Sequence, residues 1–275
     1  AFIRLKFPVF ETSLQQVTAL QMQDLYQQLG EKLSACTVSK IHKMLKASMK
    51  KAVEIGLLPK NTMDAVVPPK FEKPEIITFT KEEICALLAS AQNYAGGKYY
   101  PMVLLAITSG MRLGEILALR FCDISTKRNE VSITRNLQMT KQGIVIRPPK
   151  TKAGKRIIAL PPEVITRLYN LHSERKVLAL EDFIFITKNG TPYEPRNIER
   201  AWKTIAERSG IIYRNFHVLR HTHCTDLLAA GVPIVEVARR VGHARISHTL
   251  ELYGHAIPRY DQEIANKVGG LYLVK

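Results

Sequence analysis

Arg112 with Glu115 three residues on, the run Lys150-Thr151-Lys152-Ala153-Gly154-Lys155, His217 with Arg220, and Gly242-His243 with Tyr253 ten residues later supply two guanidinium groups, lysines, two imidazoles and a phenol. Such a set can break a phosphodiester. Transfer at phosphorus loads negative charge onto the nonbridging oxygens, with a nucleophile on one side and a poor alkoxide leaving group on the other. Arg112 and Arg220 suit the nonbridging oxygens, because a guanidinium is a planar fork that stays charged at every working pH. A lysine on a turn suits the leaving oxygen, since an ammonium can give up a proton. Spacing alone does not choose among Lys150, Lys152 and Lys155. Tyr253 supplies the attacking oxygen. Its phenol has an ordinary pKa near 10, so deprotonating it at neutrality costs about 4 kcal/mol. His217 can take or relay that proton, and His243 can hydrogen-bond a phosphate oxygen. Attack would leave a phosphotyrosine bond and a free 5′-hydroxyl, resealable without ATP or a divalent ion, so no cofactor and no metal are expected.

The elements that must hold these groups are mostly helical. Residues 14–29 and 37–55 carry helical periodicity, and Asn61-Thr62 starts a short third helix. In the second, Lys40, Lys43, Lys46 and Lys50 recur at steps of three and four, opposite a stripe of Val38, Ile41, Leu45, Met49 and Ala52. That basic face is expected to lie along nucleic-acid phosphates. Residues 67–74, with three prolines, read as a linker that places a boundary near residue 75. Thr80-Lys81-Glu82-Glu83 is a capping box for a helix to about residue 92, and Pro101 opens another that ends near Ser109-Gly110. Arg112 then enters at the start of a helix over 113–120. From 129 to 160 the period switches to alternation, predicting strands at 130–135, 143–147 and 156–160 with Lys152 on the turn between the last two. Helical spacing resumes over 162–178, 195–209, 218–230, 233–241, 246–253 and 260–268. The ending Leu271-Tyr272-Leu273-Val274 reads as strand-like. The expected fold is mainly α with one small antiparallel β-sheet.

Composition narrows the partner. The 275 residues carry 40 Lys and Arg against 24 Asp and Glu, a formal charge of +16, which points to a polyanion, with nucleic acid ahead of an anionic membrane. A 46% hydrophobic content is ample for a core in two domains. No apolar run approaches the roughly 20 residues a spanning helix needs and no signal-type start is present, so no membrane partner and a cytoplasmic location are expected, associated with the bacterial nucleoid when DNA-bound. Cys36, Cys85, Cys122 and Cys224 form no CxxC pair and read as small apolar side chains. His217, His221 and His223 lack a carboxylate or Cys set that would make them a metal site; for His221 and His223 a capping or packing role is expected. Tyr260 is the nearest rival to Tyr253.

Taken in order, the residues resemble the tyrosine recombinases, or phage-type integrases, especially those of phages and conjugative transposons. Thr108-Ser109-Gly110-Met111-Arg112-Leu113-Gly114-Glu115-Ile116 is similar to that family's first arginine box, His217-Val218-Leu219-Arg220-His221-Thr222 to its HxxR box, Val241-Gly242-His243 to its LGH box, and Thr249-Leu250-Glu251-Leu252-Tyr253-Gly254-His255 to its nucleophile segment. Val241 stands where Leu is usual and Ser109 where Gly or Thr is frequent. The resemblance implies a helical core-DNA-binding domain over 1–74 and a DNA breaking-rejoining domain over 75–275. It implies Arg112, Lys152, His217, Arg220, His243 and Tyr253 as catalytic and Glu115 as supporting. Lys40, Lys43, Lys46, Lys50, Lys150, Lys155 and Arg156 would contact DNA. It further implies site-specific recombination of double-stranded DNA by a homotetramer, with accessory DNA-bending or directionality proteins and a tail over 261–275 packing in trans. A type IB topoisomerase shares the same chemistry without sequence preference. A silent DNA-binding relative would not need the intact set, and a metal-dependent nuclease would need paired carboxylates.

Overall fold

The computed structural model describes residues 11–71, 75–173, 179–258 and 261–272. Two compact units divide the chain, Ala1–Glu75 and Ile76–Lys275. Among the described residues no helix is long and apolar enough to cross a membrane.

In the first unit the expected opening helix is interrupted: a 3-10 turn at Leu14–Gln16 precedes α1 (Ala19–Gly30), because Thr18 and Gln21 form a capping box that starts the helix there. Helix α2 (Ala35–Glu54) begins at Ser34, whose hydroxyl accepts from the Thr37 N–H. The apolar stripe of α2 packs inward against Met22, Leu25, Tyr26 and Leu29 of α1 and Met63 from a 3-10 turn at Thr62–Ala65. Tyr26 Oη and His42 Nδ1, 3.1 Å apart, join the two helices through a buried hydrogen bond. Lys40, Lys43, Lys46 and Lys50 all remain exposed. Lys46 pairs with Asp64 at 3.0 Å, beside a shallow groove that Lys43 and Lys50 also line.

The second unit gathers α3 (Lys81–Asn93), α4 (Tyr100–Ser109), α5 (Leu113–Leu117), α6 (Pro162–Ser173) and α7 (Pro195–Arg208) around one apolar core that includes Leu87, Leu105, Ile116, Leu168 and Trp202. The Thr80–Glu83 capping box opens α3 as its sequence requires. Helix α5 stops three residues earlier than its periodicity suggests, because Asp123 Oδ2 accepts from the Arg120 N–H and Arg120 bridges to Phe183, which pulls the chain out of helical register. Helices α8 (Val218–Ala229), α9 (Ile234–Val241) and α10 (Ile246–Tyr253) enclose a satellite core of Cys224, Leu228, Val237, Val241 and Tyr253.

Two further features differ from the reading of the sequence. The strands form two small antiparallel sheets rather than one. β1 (Ile124–Ser125), β2 (Glu130–Ile133) and β5 (Arg156–Ala159) make the first in the order β1-β2-β5, while β3 (Asn136–Thr140) and β4 (Gly143–Arg147) make the second. β5 pairs with β2, Val131 opposite Ile158, and not with β4. The lysine run therefore crosses between two ladders instead of closing a hairpin. The second difference is the tail: Leu271 and Tyr272 belong to a helix, α11 (Asp261–Tyr272). Ile264, Val268 and Leu271 recur at steps of four and three, and each internal glycine subtracts only about 0.5–1 kcal/mol from a helix. Leu273 and Val274, together with Tyr260 and residues 174–178 of the helix expected over 162–178, lie outside the described residues.

Candidate active site

The start of α8 is fixed from two sides. Trp202 meets Phe79 and Phe216 edge-on, with ring centroids 6.1 and 5.5 Å away, and its Nε1 donates to the Arg214 carbonyl at 2.7 Å. The Phe79 N–H donates to the buried Thr222 hydroxyl at 3.0 Å. Held this way, the helix sends Arg220 into the protein, where it is only 2% exposed. Its Nη1 donates to the Gly110 carbonyl at 2.6 Å, and its Nη2 is buried without a hydrogen-bond partner among the described residues. Burial, then the nearby Arg112, pulls the guanidinium down to about 10, so it is still charged at neutral pH. Gly110 makes the Arg220 contact possible: it ends α4 at φ +64°, and a Cβ there would fall 2.5 Å from the His223 ring.

Arg112 caps α5 two residues beyond that glycine. Its backbone N–H donates to Glu115 Oε2 at 3.0 Å, and its Nη1 to Oε1 at 2.9 Å. Glu115 is 3% exposed, whereas the Arg112 side chain keeps 41% of its surface open. The same carboxylate takes both Nη atoms of Arg156, at 3.3 and 2.9 Å. Burial alone would raise the Glu115 pKa, but the hydrogen bonds and charges of Arg156 and Arg112 hold it below the ordinary carboxylate value. Arg156, expected on the DNA surface, is thus placed elsewhere. Its side chain is 6% exposed, and it also donates to the Arg240 carbonyl at 2.7 Å and the Gly154 carbonyl at 3.1 Å. It is an internal strut, since every contact would be lost if it turned outward.

Arg112 lines two adjoining clefts. One is bounded by Glu115, Asn136, Gln138, Lys150 and Thr151, the other by Thr151, Gly242, His243, Arg245 and His248. Lys150, Lys152 and Lys155 are all exposed; Lys152 begins a 3-10 turn, Lys152–Gly154, and Lys150 faces the first cleft. Gly242 caps α9 at φ +73°, where a Cβ would sit 2.8 Å from Arg156 Nη1 and 2.9 Å from the Ala153 carbonyl oxygen. Only glycine lets α9 close on both the strut and the lysine turn. His243 follows, with Nδ1 2.8 Å from Thr249 Oγ1 and its ring edge-on to His248. Burial, then the charge of Arg220, drives its imidazole down to about 3. His217 is exposed on one side, yet partial desolvation of its ring, then His221 and Arg220, push its imidazole down to about 4.

Tyr253, at the end of α10, is 1% exposed. Its Oη lies 2.6 Å from His221 Nδ1, and the Cys224 thiol is within hydrogen-bonding reach of the same oxygen. Burial and Cys224 raise the phenol's pKa, more than the two arginines lower it. His221 is therefore not the packing residue its sequence suggested. His217 and His221 stand one helical turn apart, rings edge-on with centroids at 4.8 Å, so a histidine directly after Arg220 was the available signal. His223 does fill a scaffold role, its Nδ1 2.8 Å from the Ile107 carbonyl and its Nε2 accepting from Arg240 Nε at 3.2 Å. One helix and the segments around it thus gather Arg112, Glu115, His217, Arg220, His243 and Tyr253, with the exposed lysine turn at the cleft edge.

The same residues fall within a match to the phage integrase family over 78–259. The chain is similar to a XerC-like tyrosine recombinase of Caldanaerobacter subterraneus, 30% identical over 284 residues that span 94% of this chain and 72% of the relative. It is also similar to the transposase of transposon Tn916 from Enterococcus faecalis, 26% identical across 80% of this chain and 58% of that one. Among solved structures, the Tn1549 transposon integrase in complex with a circular intermediate DNA matches with a TM-score of 0.80 at 21% identity, covering 92% of this chain and 85% of that chain. The chain belongs to the phage integrase family, the tyrosine recombinases, and is a DNA strand transferase.

Proposed function

We propose that this protein cuts and rejoins specific sites in double-stranded DNA through Tyr253, joining it to a 3′-phosphate, and that it moves a phage or transposon-like element in or out of its host. The observation that carries the reading is Arg220. A guanidinium 2% exposed, with Nη2 bonded to nothing among the described residues, is a buried charge left partly unsatisfied, and such a charge costs several kcal/mol unless an anion completes it. A phosphodiester held by Arg220 and the half-open Arg112 would do so. Lys152 would then protonate the departing 5′-oxygen, with Lys150 and Lys155 on the flanking strand. His217 and His243 would bond phosphate oxygens, and Glu115 would aim Arg112. Neither a metal nor ATP enters this scheme.

In this reading the second unit is catalytic and the first holds the core DNA, with Lys40, Lys43 and Lys50 on phosphates and Lys46 shared with Asp64. The protein would act as a homotetramer on two duplexes, in the cytoplasm and on nucleoid DNA, helped by DNA-bending or directionality proteins. Helix α11, where Val268 is 47% and Leu271 70% exposed, would pack on a neighbouring subunit.

The test uses duplexes recovered from a randomised pool by binding, then nicked to trap cleavage. Wild type should become covalently attached to a 3′-phosphate, and Tyr253→Phe should keep binding and lose attachment. Attachment by Tyr253→Phe, or cleavage of wild type indifferent to sequence, would end the proposal. Run in the same assay, deletion of residues 261–275 should abolish pairing of two duplexes.

A further inference from the structure

We propose that His221, rather than His217, is the base that removes the proton from Tyr253. This rests on the reading of Tyr253 as nucleophile and deepens it. Among the described residues the phenolic oxygen is bonded to His221 Nδ1 at 2.6 Å, and no hydrogen bond joins it to His217. His217 instead packs edge-on against His221. The distance is at the short end for an oxygen–nitrogen hydrogen bond, which is the geometry a proton transfer needs.

The surroundings explain why the transfer waits for DNA. Burial and then Arg220 lower the His221 pKa, so the imidazole is neutral and Nδ1 can accept. Burial raises that of the phenol, so the proton stays on oxygen in the free protein. A phosphodiester seated on Arg220 would cancel part of the positive charge that weakens His221. The base would thus gain strength when its substrate arrives, and the adjacent positions 220 and 221 would couple clamp to base through one helix. In the reaction the Tyr253 O–H bond breaks and its proton moves to His221 Nδ1. The bond from Oη to phosphorus forms, the bond from phosphorus to the 5′-oxygen breaks, and that oxygen takes a proton from Lys152. His221 ends as an imidazolium, charge being conserved by the lysine's loss.

His221→Ala and His221→Asn separate basicity from positioning, because the Asn amide can still hydrogen-bond near the place of Nδ1 but cannot take the proton. Both variants, with DNA binding and melting temperature checked against wild type, should lower single-turnover attachment by about 10²–10⁴-fold. The loss should persist when the scissile 5′-oxygen is replaced by sulfur, since a thiolate leaves without a proton while the phenol must still lose its own. Lys152→Ala, by contrast, should recover on the sulfur substrate. Attachment by His221→Asn within about threefold of wild type, or rescue of the His221 variants by sulfur, would overturn the assignment. If either variant is poorly folded, nitrogen NMR of the wild type decides. Nδ1 of His221 should give the signal of an unprotonated acceptor that changes in Tyr253→Phe, and a protonated Nδ1 would sink the idea. Loss of covalent attachment to Tyr253 itself would be the separate failure of the parent reading.

Discussion

At the residue scale the site is organised by one carboxylate. Glu115 serves Arg112, whose exposed side faces two clefts, and Arg156, which has no solvent to fall back on. Removing a partner from a buried pair leaves an uncompensated charge and typically costs about 3–5 kcal/mol. Glu115→Ala is therefore expected to lower the unfolding free energy by about that amount in urea titrations. Glu236→Ala breaks the exposed pair with Arg239 and should change it by no more than about 0.5 kcal/mol. The residues gathered at the candidate site could be named from the sequence because their types and order are rare in combination. Arg156 and His221 could not. Arg156 sits in a lysine-rich run that reads as surface, and nothing local reveals that a carboxylate 41 positions away buries it. The hydrogen bond of His221 to Tyr253 depends on where a ring 32 residues later folds back.

At the scale of elements, three helix ends converge on the candidate site, and two of them are glycines with positive φ. Gly242 and Gly210 share nearly the same backbone angle, +73° and +71°, but a Cβ at Gly210 would meet nothing within 4 Å. Gly210→Ala should cost only the backbone strain, about 1–2 kcal/mol. Gly242→Ala should cost more, and because it pushes on Arg156 and on the lysine turn it should also slow strand cleavage, by up to about a hundredfold. Equal stability and equal cleavage rates for the two variants would show that the close approach at Gly242 is without consequence. Helix positions were largely readable from capping boxes, prolines and apolar spacing, as the match at 246–253 illustrates. Strand pairing was not, because alternation marks a strand without naming its neighbour. β3, Asn136–Thr140, alternates in sequence over only five residues, and its burial does not follow the alternation, since Leu137 is buried while Met139 is exposed.

At the scale of the molecule, the concentration of positive charge around buried imidazoles sets a limit on acid tolerance. His223 is only 7% exposed, and burial with the nearby Arg240 pushes its pKa down to about 4. The unfolded chain takes up this proton near 6.5, which the folded chain refuses until about 4. Stability is therefore complete above 6.5 and falls as pH drops through the window between those values. His223 alone can account for about 3 kcal/mol of that fall. The melting temperature should decline steadily between pH 7 and 4.5, and His223→Gln should flatten the slope; an unchanged melting temperature over that range would contradict the account. A last consequence follows from the lysine run spanning two separate ladders. Within a hairpin, each inserted or deleted residue shifts one strand against its mate and turns side chains inside out. Between Arg147 and Arg156 no such penalty applies, since β2 keeps β5 and β3 keeps β4 whatever the length between them. The arm that carries the ammonium can lengthen or shorten over evolutionary time while both sheets stay as they are.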